Sequence, residues 1–399
     1  MSIFAGKPFY ARYRHGQNNA VDSSKAGPIA WAKYLGFCCC LTLAPCQVAL
    51  ADTIRVATFN VSLGRDGPGL LVRDLLAGKD PQIATVIKII SETKPDILVL
   101  NDFDYDFRGV ALGLFAKRLA ENDSGFPYRF AFQPNSSFAS PVDLDGDKRI
   151  GGPGDNQGFA QFSGAQAMAI LSKYPIVVDR AQDFSGQLWK DLPGAKLPMV
   201  AGQPWPSQTA WDVQRLSSKG HWDVPIKLPD GRRLHILASH ATPPVFDGPE
   251  NQNGLRNRDE IRFWSLFVQS LPENQMFVII GDLNADPNDG EGSHMAIRSL
   301  LSSPRVQDVM PQSLGALAAT HRQAGPNLTH VSDPSLDTVD WDEERTPGNL
   351  RVDYVLPSAN LLVSGAGVFW PAPDEVNFEL VGLGGDVGSH HRLVWADIE

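Results

Sequence analysis

One apolar run in this chain ends in two residues that could do chemistry. Residues 276–287 read MFVIIGDLNADP, so a stretch from Met276 to Ile280 stops at Gly281 and delivers Asp282 and Asn284. A buried strand ending in Gly-Asp-x-Asn presents a carboxylate and an amide at a rigid edge. Asp282 can orient a water or hold a divalent cation, and Asn284 offers an N–H to a developing oxyanion. The same residues also suit a plain strand followed by an Asx turn.

Similar residues end other strand-like runs. Asn60 ends IRVATFN, Asn101 and Asp102 end PDILVLND, and His240 ends RRLHILASH. Asp353 lies in LRVDY, and His390 and His391 belong to SHHRLVWADIE. A lone strand histidine is more often a satisfied structural residue, but that explanation would have to hold separately at six strand ends. In this order the motifs resemble the endonuclease/exonuclease/phosphatase superfamily of metal-dependent phosphoesterases, from about Thr53 to Glu399, with GDLN and HRLVWADI the most specific elements.

The resemblance implies an α/β fold, a four-layered sandwich in which two mainly antiparallel sheets lie face to face with helices outside. It implies that Asn60 and Asp102 hold a divalent metal, Mg²⁺ or Mn²⁺. Asp282 would then orient or deprotonate the attacking water, and Asn284 would bind the phosphoryl group. Asp353 would fix the tautomer of His391 and favour its charged form, and His240 would act as general acid or phosphate ligand.

Two positions depart from the family pattern. Asp102 stands where Glu is usual, and Ser389-His390-His391 stands where Ser-Asp-His is usual. As an imidazole ligand, His390 would shift the preference from Mg²⁺ toward Mn²⁺, Zn²⁺ or another transition metal. The alternatives are compensation by Asp386, a weakened site, or a His390 that turns outward.

Further candidates are weaker. Arg256, at the mouth of a helix, and Lys219 and His221, before a strand, are expected to bind substrate phosphate. Asp143, Asp145 and Asp147 copy the start of an EF-hand loop and could hold a structural Ca²⁺. Gly154 replaces the closing Glu of that pattern, with Asp155 as the nearest substitute, and a plain Asp/Gly turn cluster is the alternative.

Positioning these residues requires a particular set of elements. Ile83, Val86, Ile87 and Ile90 sit at helical spacing behind Pro81, and Ile261, Trp264, Phe267 and Leu271 predict a second helix over 258–271. Strands are expected near 128–132, 166–171, 209–215, 222–228, 233–239, 351–356, 361–368 and 391–397, with Pro229-Asp230-Gly231 turning a hairpin. Loops are expected over 133–165, 185–208 and 322–349.

The first 51 residues read as a signal-peptide-like leader before one domain over 52–399. Basic residues precede the apolar run at Tyr34–Ala44, and Ala49-Leu50-Ala51 offers a small-x-small cleavage pattern. A buried N-terminal helix and a lipoprotein cleavage at Cys46 are the alternatives. All four cysteines (Cys38, Cys39, Cys40, Cys46) fall in that leader, so any metal must be held by oxygen and imidazole. A periplasmic or secreted protein is expected. No apolar run reaches the ~20 residues of a membrane span.

Charge narrows the partner. The chain carries 35 Lys+Arg against 45 Asp+Glu and has no basic run. Proteins that grip nucleic acid show a basic face, so a phosphorylated small molecule or lipid headgroup is favoured over nucleic acid. The leading expectation is an exported metal-dependent phosphoesterase. An extracellular nuclease, or a non-catalytic binding protein on the same scaffold, are the alternatives.

Overall fold

The computed structural model describes residues 53–341, 347–384 and 387–399. The expected leader and Asp386 lie outside the described residues. In chain order the structure runs β1 (Ile54–Leu63), α1 (Leu70–Ala77), α2 (Pro81–Thr93), β2 (Ile97–Phe103), α3 (Val110–Ala120), β3 (Tyr128–Phe130) and β4 (Ala167–Ser172). It continues with β5 (Gln182–Asp183), a small ribbon of β6 (Met199–Val200) and β7 (Gln203–Pro204), α4 (Gln208–Val213), β8 (His221–Lys227) and β9 (Arg233–His240). Then follow α5 (Gln252–Ser270), β10 (Phe277–Asp282), α6 (His294–Leu301), α7 (Leu314–Arg322), β11 (Asp353–Pro357), β12 (Val363–Phe369) and β13 (Leu393–Ile398).

Two sheets result. The first has the order β12-β13-β1-β2-β4-β3 and the second β11-β10-β9-β8-β5. Among the described strands only the β1/β2 and β9/β10 pairs are parallel, so both sheets are mainly antiparallel. Alternation along each strand sorts the apolar side chains into layers. Val56, Ile97, Val99 and Ile170 of one sheet pack with Trp222, Ile236, Val278, Ile280 and Val355 of the other. Ala57, Phe59, Leu98 and Leu100, on the opposite face of the first sheet, pack with Leu71, Ile83, Val86, Ile90 and Phe115 of α1, α2 and α3. Leu237, Phe277, Ile279, Tyr354 and Leu356 do the same with Trp264, Phe267, Ile297 and Leu300 of α5 and α6. The fold is therefore a four-layered α/β sandwich.

Local chemistry explains where the elements begin. Asp80 caps α2 by accepting from the Ile83 N–H at 2.9 Å, and Pro81 fills the first helical position, where an N–H is not needed. The strand expected at 209–215 is instead α4, because Ser207 accepts from the Ala210 N–H and starts a helical turn. The helix expected from 258 starts at Gln252, which moves Arg256, Asn257 and Arg258 from a helix mouth into its body. Among the described residues no helix is long and apolar enough to cross a membrane.

Candidate functional site

Three chemistry-bearing residues of the second sheet stand abreast. Asp282 is in register with His240 on parallel β9 and with Asp353 on antiparallel β11. Gly281 permits this arrangement: its φ is 136°, and a Cβ there would run into the Ser239 carbonyl. The Asn284 N–H donates to Asp282 Oδ1 at 3.0 Å, so the Asx turn and the chemical motif are the same object. One N–H of the Asn284 amide donates to the Ala241 carbonyl at 3.0 Å, which fixes the side chain and leaves the other without a partner among the described residues.

The first sheet meets this row across the sandwich. Register irregularities in β1 and β2 lie beside Asn60 and Asp102, and Asp102 has a left-handed φ of 53° that turns it out of the strand alternation. Asn60 Nδ2 donates to Asp282 Oδ2 at 3.0 Å and lies 3.4 Å from His391 Nε2. His391 Nδ1 donates to Asp353 Oδ2 at 2.8 Å. His240 Nε2 lies 3.4 Å from Asp282 Oδ2, while its Nδ1 lies 3.8 Å from Asp102 Oδ1. Asn60, Asp102, His240, Asp282, Asn284, Asp353 and His391 are thus drawn together where the ends of two sheets meet.

Burial governs the electrostatics. It is the largest influence on Asp282, pushing the carboxyl up, with the neighbouring Asp353 charge adding to it. Burial opposes the charged form of His391, but Asp353 and Asp282 together outweigh it and raise the imidazole above its ordinary range. Burial likewise raises Asp102, against the pull of the Lys219 and His391 charges. Lys219 is itself buried, which lowers it, and its Nζ contacts Gln166 Oε1 at 3.4 Å.

These residues suit a divalent ion. His240 Nδ1 and Asp353 Oδ1 are buried with no hydrogen-bond partner among the described residues. Asp282, Asp353 and His391 each offer a ligand atom within 4.8 Å of the others. Asn60 and Asp102 add amide and carboxylate oxygens, and the described residues contain no thiolate. Oxygen donors of this kind match Mg²⁺ or Mn²⁺.

Other expected residues lie elsewhere. His390 is exposed, and its Nδ1 donates to the Asp340 carbonyl at 2.8 Å, so it is not among the clustered ligand atoms and gives no ground for a softer metal. Arg256 is buried, and its guanidinium donates to the carbonyls of Leu216, Arg215 and Ser217; it holds a loop rather than facing substrate. His221 packs between Phe263 and Trp264, and burial lowers it to about 4, so it is neutral and enclosed. In the EF-hand-like loop, Asp143, Asp145 and Asp147 approach one another within 4.8 Å. Asp155 does not complete that group, because its carboxylate accepts from the N–H groups of Leu144, Gly151 and Gly152.

Sequence reasoning missed Thr338. Its hydroxyl donates to Asp353 Oδ2 at 3.0 Å and accepts from the Val352 and Asp353 N–H groups. It lies in an Asp- and Thr-rich loop with no motif to mark it.

No curated protein matches the chain by sequence. Solved structures do resemble it. An endonuclease/exonuclease/phosphatase from Beutenbergia cavernae is 17% identical at a TM-score of 0.49, covering 87% of this chain and 71% of its own. Sphingomyelinase C from Streptomyces griseocarneus is 17% identical at 0.45, covering 88% and 100%. Beta toxin from Staphylococcus aureus, in a variant with bound magnesium ions, is 15% identical at 0.44, covering 86% and 99%. A family model described as Endonuclease/Exonuclease/phosphatase family matches residues 57–386, and the chain belongs to that family of metal-dependent phosphoester hydrolases.

Proposed function

We propose that this cluster hydrolyses a phosphate ester of a small or lipid-linked molecule by attack of water, with Asn60 and Asp102 holding a Mg²⁺ or Mn²⁺ ion. The observation that carries the reading is the unbroken contact chain Asp353–His391–Asn60–Asp282, which joins the two sheets. When bound, the ion supplies Lewis-acid stabilisation to the phosphoryl oxygens. Asp282, raised by burial, accepts the proton of the attacking water and orients it. Asp353 keeps His391 protonated, so the imidazolium Nε2–H faces the charge that develops on the phosphoryl oxygens. His240 and the free N–H of Asn284 lie beside Asp282 and supply further phosphoryl contacts. Lys219 adds a buried positive charge close to Asp102.

The acidic balance of 35 Lys+Arg against 45 Asp+Glu favours a single phosphate over a polyanion. Turnover of bis-p-nitrophenyl phosphate across Mg²⁺, Mn²⁺, Ca²⁺ and Zn²⁺ tests the reaction. Activity with Mg²⁺ or Mn²⁺, lost on chelation and in Asp282→Asn, is expected; metal-independent turnover, or an active Asp282→Asn protein, would sink the mechanism. Rapid digestion of plasmid DNA would instead assign an extracellular nuclease. Export to the periplasm or medium rests on the leader alone. It requires an N-terminus near Asp52 by mass spectrometry, and an intact Met1 in folded cytosolic protein would end it.

A further inference from the structure

Lys219 is a buried cation whose charge is left uncancelled. Its field acts on both Asp102 and His240, so it belongs to the cluster. It forms no ion pair among the described residues. The acceptor it meets is instead a neutral one, the side-chain carbonyl of Gln166, with Nζ and Oε1 3.4 Å apart. A buried ammonium with donors unmet is costly until an anion arrives. A carboxylate in place of Gln166 would cancel the charge, whereas an amide carbonyl orients it and leaves it available.

The backbone holds Gln166 in a conformation that its side chain alone does not explain. Gln166 directly precedes β4, whose pairing with β2 slips between Leu100 and Phe103, beside the turned-out Asp102. Its φ is 51°, a left-handed conformation that strains a residue with a Cβ. The residue is exposed, so burial of its side chain does not account for that strain. What holds it is its N–H, which donates to Asp104 Oδ1 at 3.0 Å, while Asp104 Oδ2 accepts from the Arg65 N–H at 2.9 Å. Gly64 leaves room for the side chain to pass, since a Cβ there would stand 2.8 Å from Gln166 Cγ. We propose that Gln166 is a positioning residue, whose carbonyl oxygen aims the Lys219 ammonium at a non-bridging oxygen of the bound phosphoryl group. Its use in catalysis rests on the function proposed above; its effect on anion binding does not.

Titration calorimetry of the full chain with inorganic phosphate, at fixed Mg²⁺ and ionic strength, tests the assignment. One saturable site is expected. Gln166→Met keeps the length of the side chain and removes the acceptor, and Gly64→Ala displaces the side chain without changing it. Each should raise the phosphate Kd about tenfold. A purely structural role would move the denaturation midpoint and leave that Kd where it was. In turnover of bis-p-nitrophenyl phosphate, KM should rise by a similar factor with kcat little changed, because the contact is made in both ground and transition states. Circular dichroism checks that the variants fold. If Gln166→Met does not, Gln166→Gly decides, since glycine accepts the left-handed φ; if neither folds, Gln166 is structural and the proposal falls. Absence of saturable phosphate binding, or an unchanged Kd in folded Gln166→Met or Gly64→Ala protein, would overturn it. Phosphate binding that weakens in the variants of a protein unable to hydrolyse the diester would remove only the reaction proposed above and leave the Gln166–Lys219 pair standing.

Discussion

Asp353 carries an asymmetric load. Its Oδ2 accepts from both His391 and Thr338, while its Oδ1 is buried without a partner among the described residues. Asp353→Asn should therefore keep the fold but set the imidazole in the wrong tautomer, lowering kcat by about 10²- to 10⁴-fold. Steady-state kinetics on bis-p-nitrophenyl phosphate would check it, and an unchanged kcat would remove the pair from the mechanism. Thr338→Val deletes one donor to that carboxylate and the acceptor of two backbone N–H groups. A stability loss of about 1–3 kcal/mol is expected, with kcat falling more than KM rises. His390 sits on the surface bonded to a carbonyl, so His390→Asp should leave the Mg²⁺-to-Mn²⁺ activity ratio as it was. A ratio moved toward Mg²⁺ would restore it as a ligand.

The strand ends of this fold were legible in the sequence and the first turns of α5 were not, and the difference is physical. β-branched runs ending in Asn, Asp or His announce themselves because one strand face is uniformly apolar. The inward face of early α5 carries Arg256, Asn257, Asp259 and Glu260, all buried. Asn257 donates to the Thr242 and Leu283 carbonyls, and Glu260 accepts from the Ser218 and Thr242 N–H groups. Because that face bonds to loops instead of burying hydrocarbon, hydrophobic periodicity begins only at Ile261. The same blindness hid Thr338 and the inward turn of Arg256. Gly281, by contrast, can be read as a requirement: Gly281→Ala forces a positive φ on a residue with a Cβ and drives it into the Ser239 carbonyl. About 2–4 kcal/mol should be lost in chemical denaturation. The segment carrying Thr338 also holds Asp337, whose carboxyl burial, then Asp286, Asp289 and Asp333, push up to about 8. Folding thus takes up a proton that the unfolded chain releases near its ordinary value. The stability this confers is complete at low pH and declines from about pH 4 to pH 8, by up to about 1.4 kcal/mol per unit. Asp337→Asn should flatten that decline, so its gain over the parent protein should be larger at pH 8 than at pH 5. Parallel denaturation curves would contradict it.

For the molecule as a whole, an acidic balance sets what salt can do. Counter-ion release makes polyanion binding collapse as salt rises, and the chain has no basic run to generate that dependence. Turnover of a small phosphodiester should change less than about twofold between 50 and 200 mM salt; a steep fall would point to a long polyanionic substrate. A different consequence follows from the contact between Asn60 and His391, which are 331 residues apart in the chain. β1 takes its antiparallel neighbour from β13, more than 300 residues further along the chain. Until β13 pairs with β1, the Asp282 row lacks the imidazole that completes it, however well the intervening segments have collapsed. Competence of the cluster therefore hangs on closing a contact of very long sequence separation, and the row of Asp282 is complete only when β13 lies beside β1.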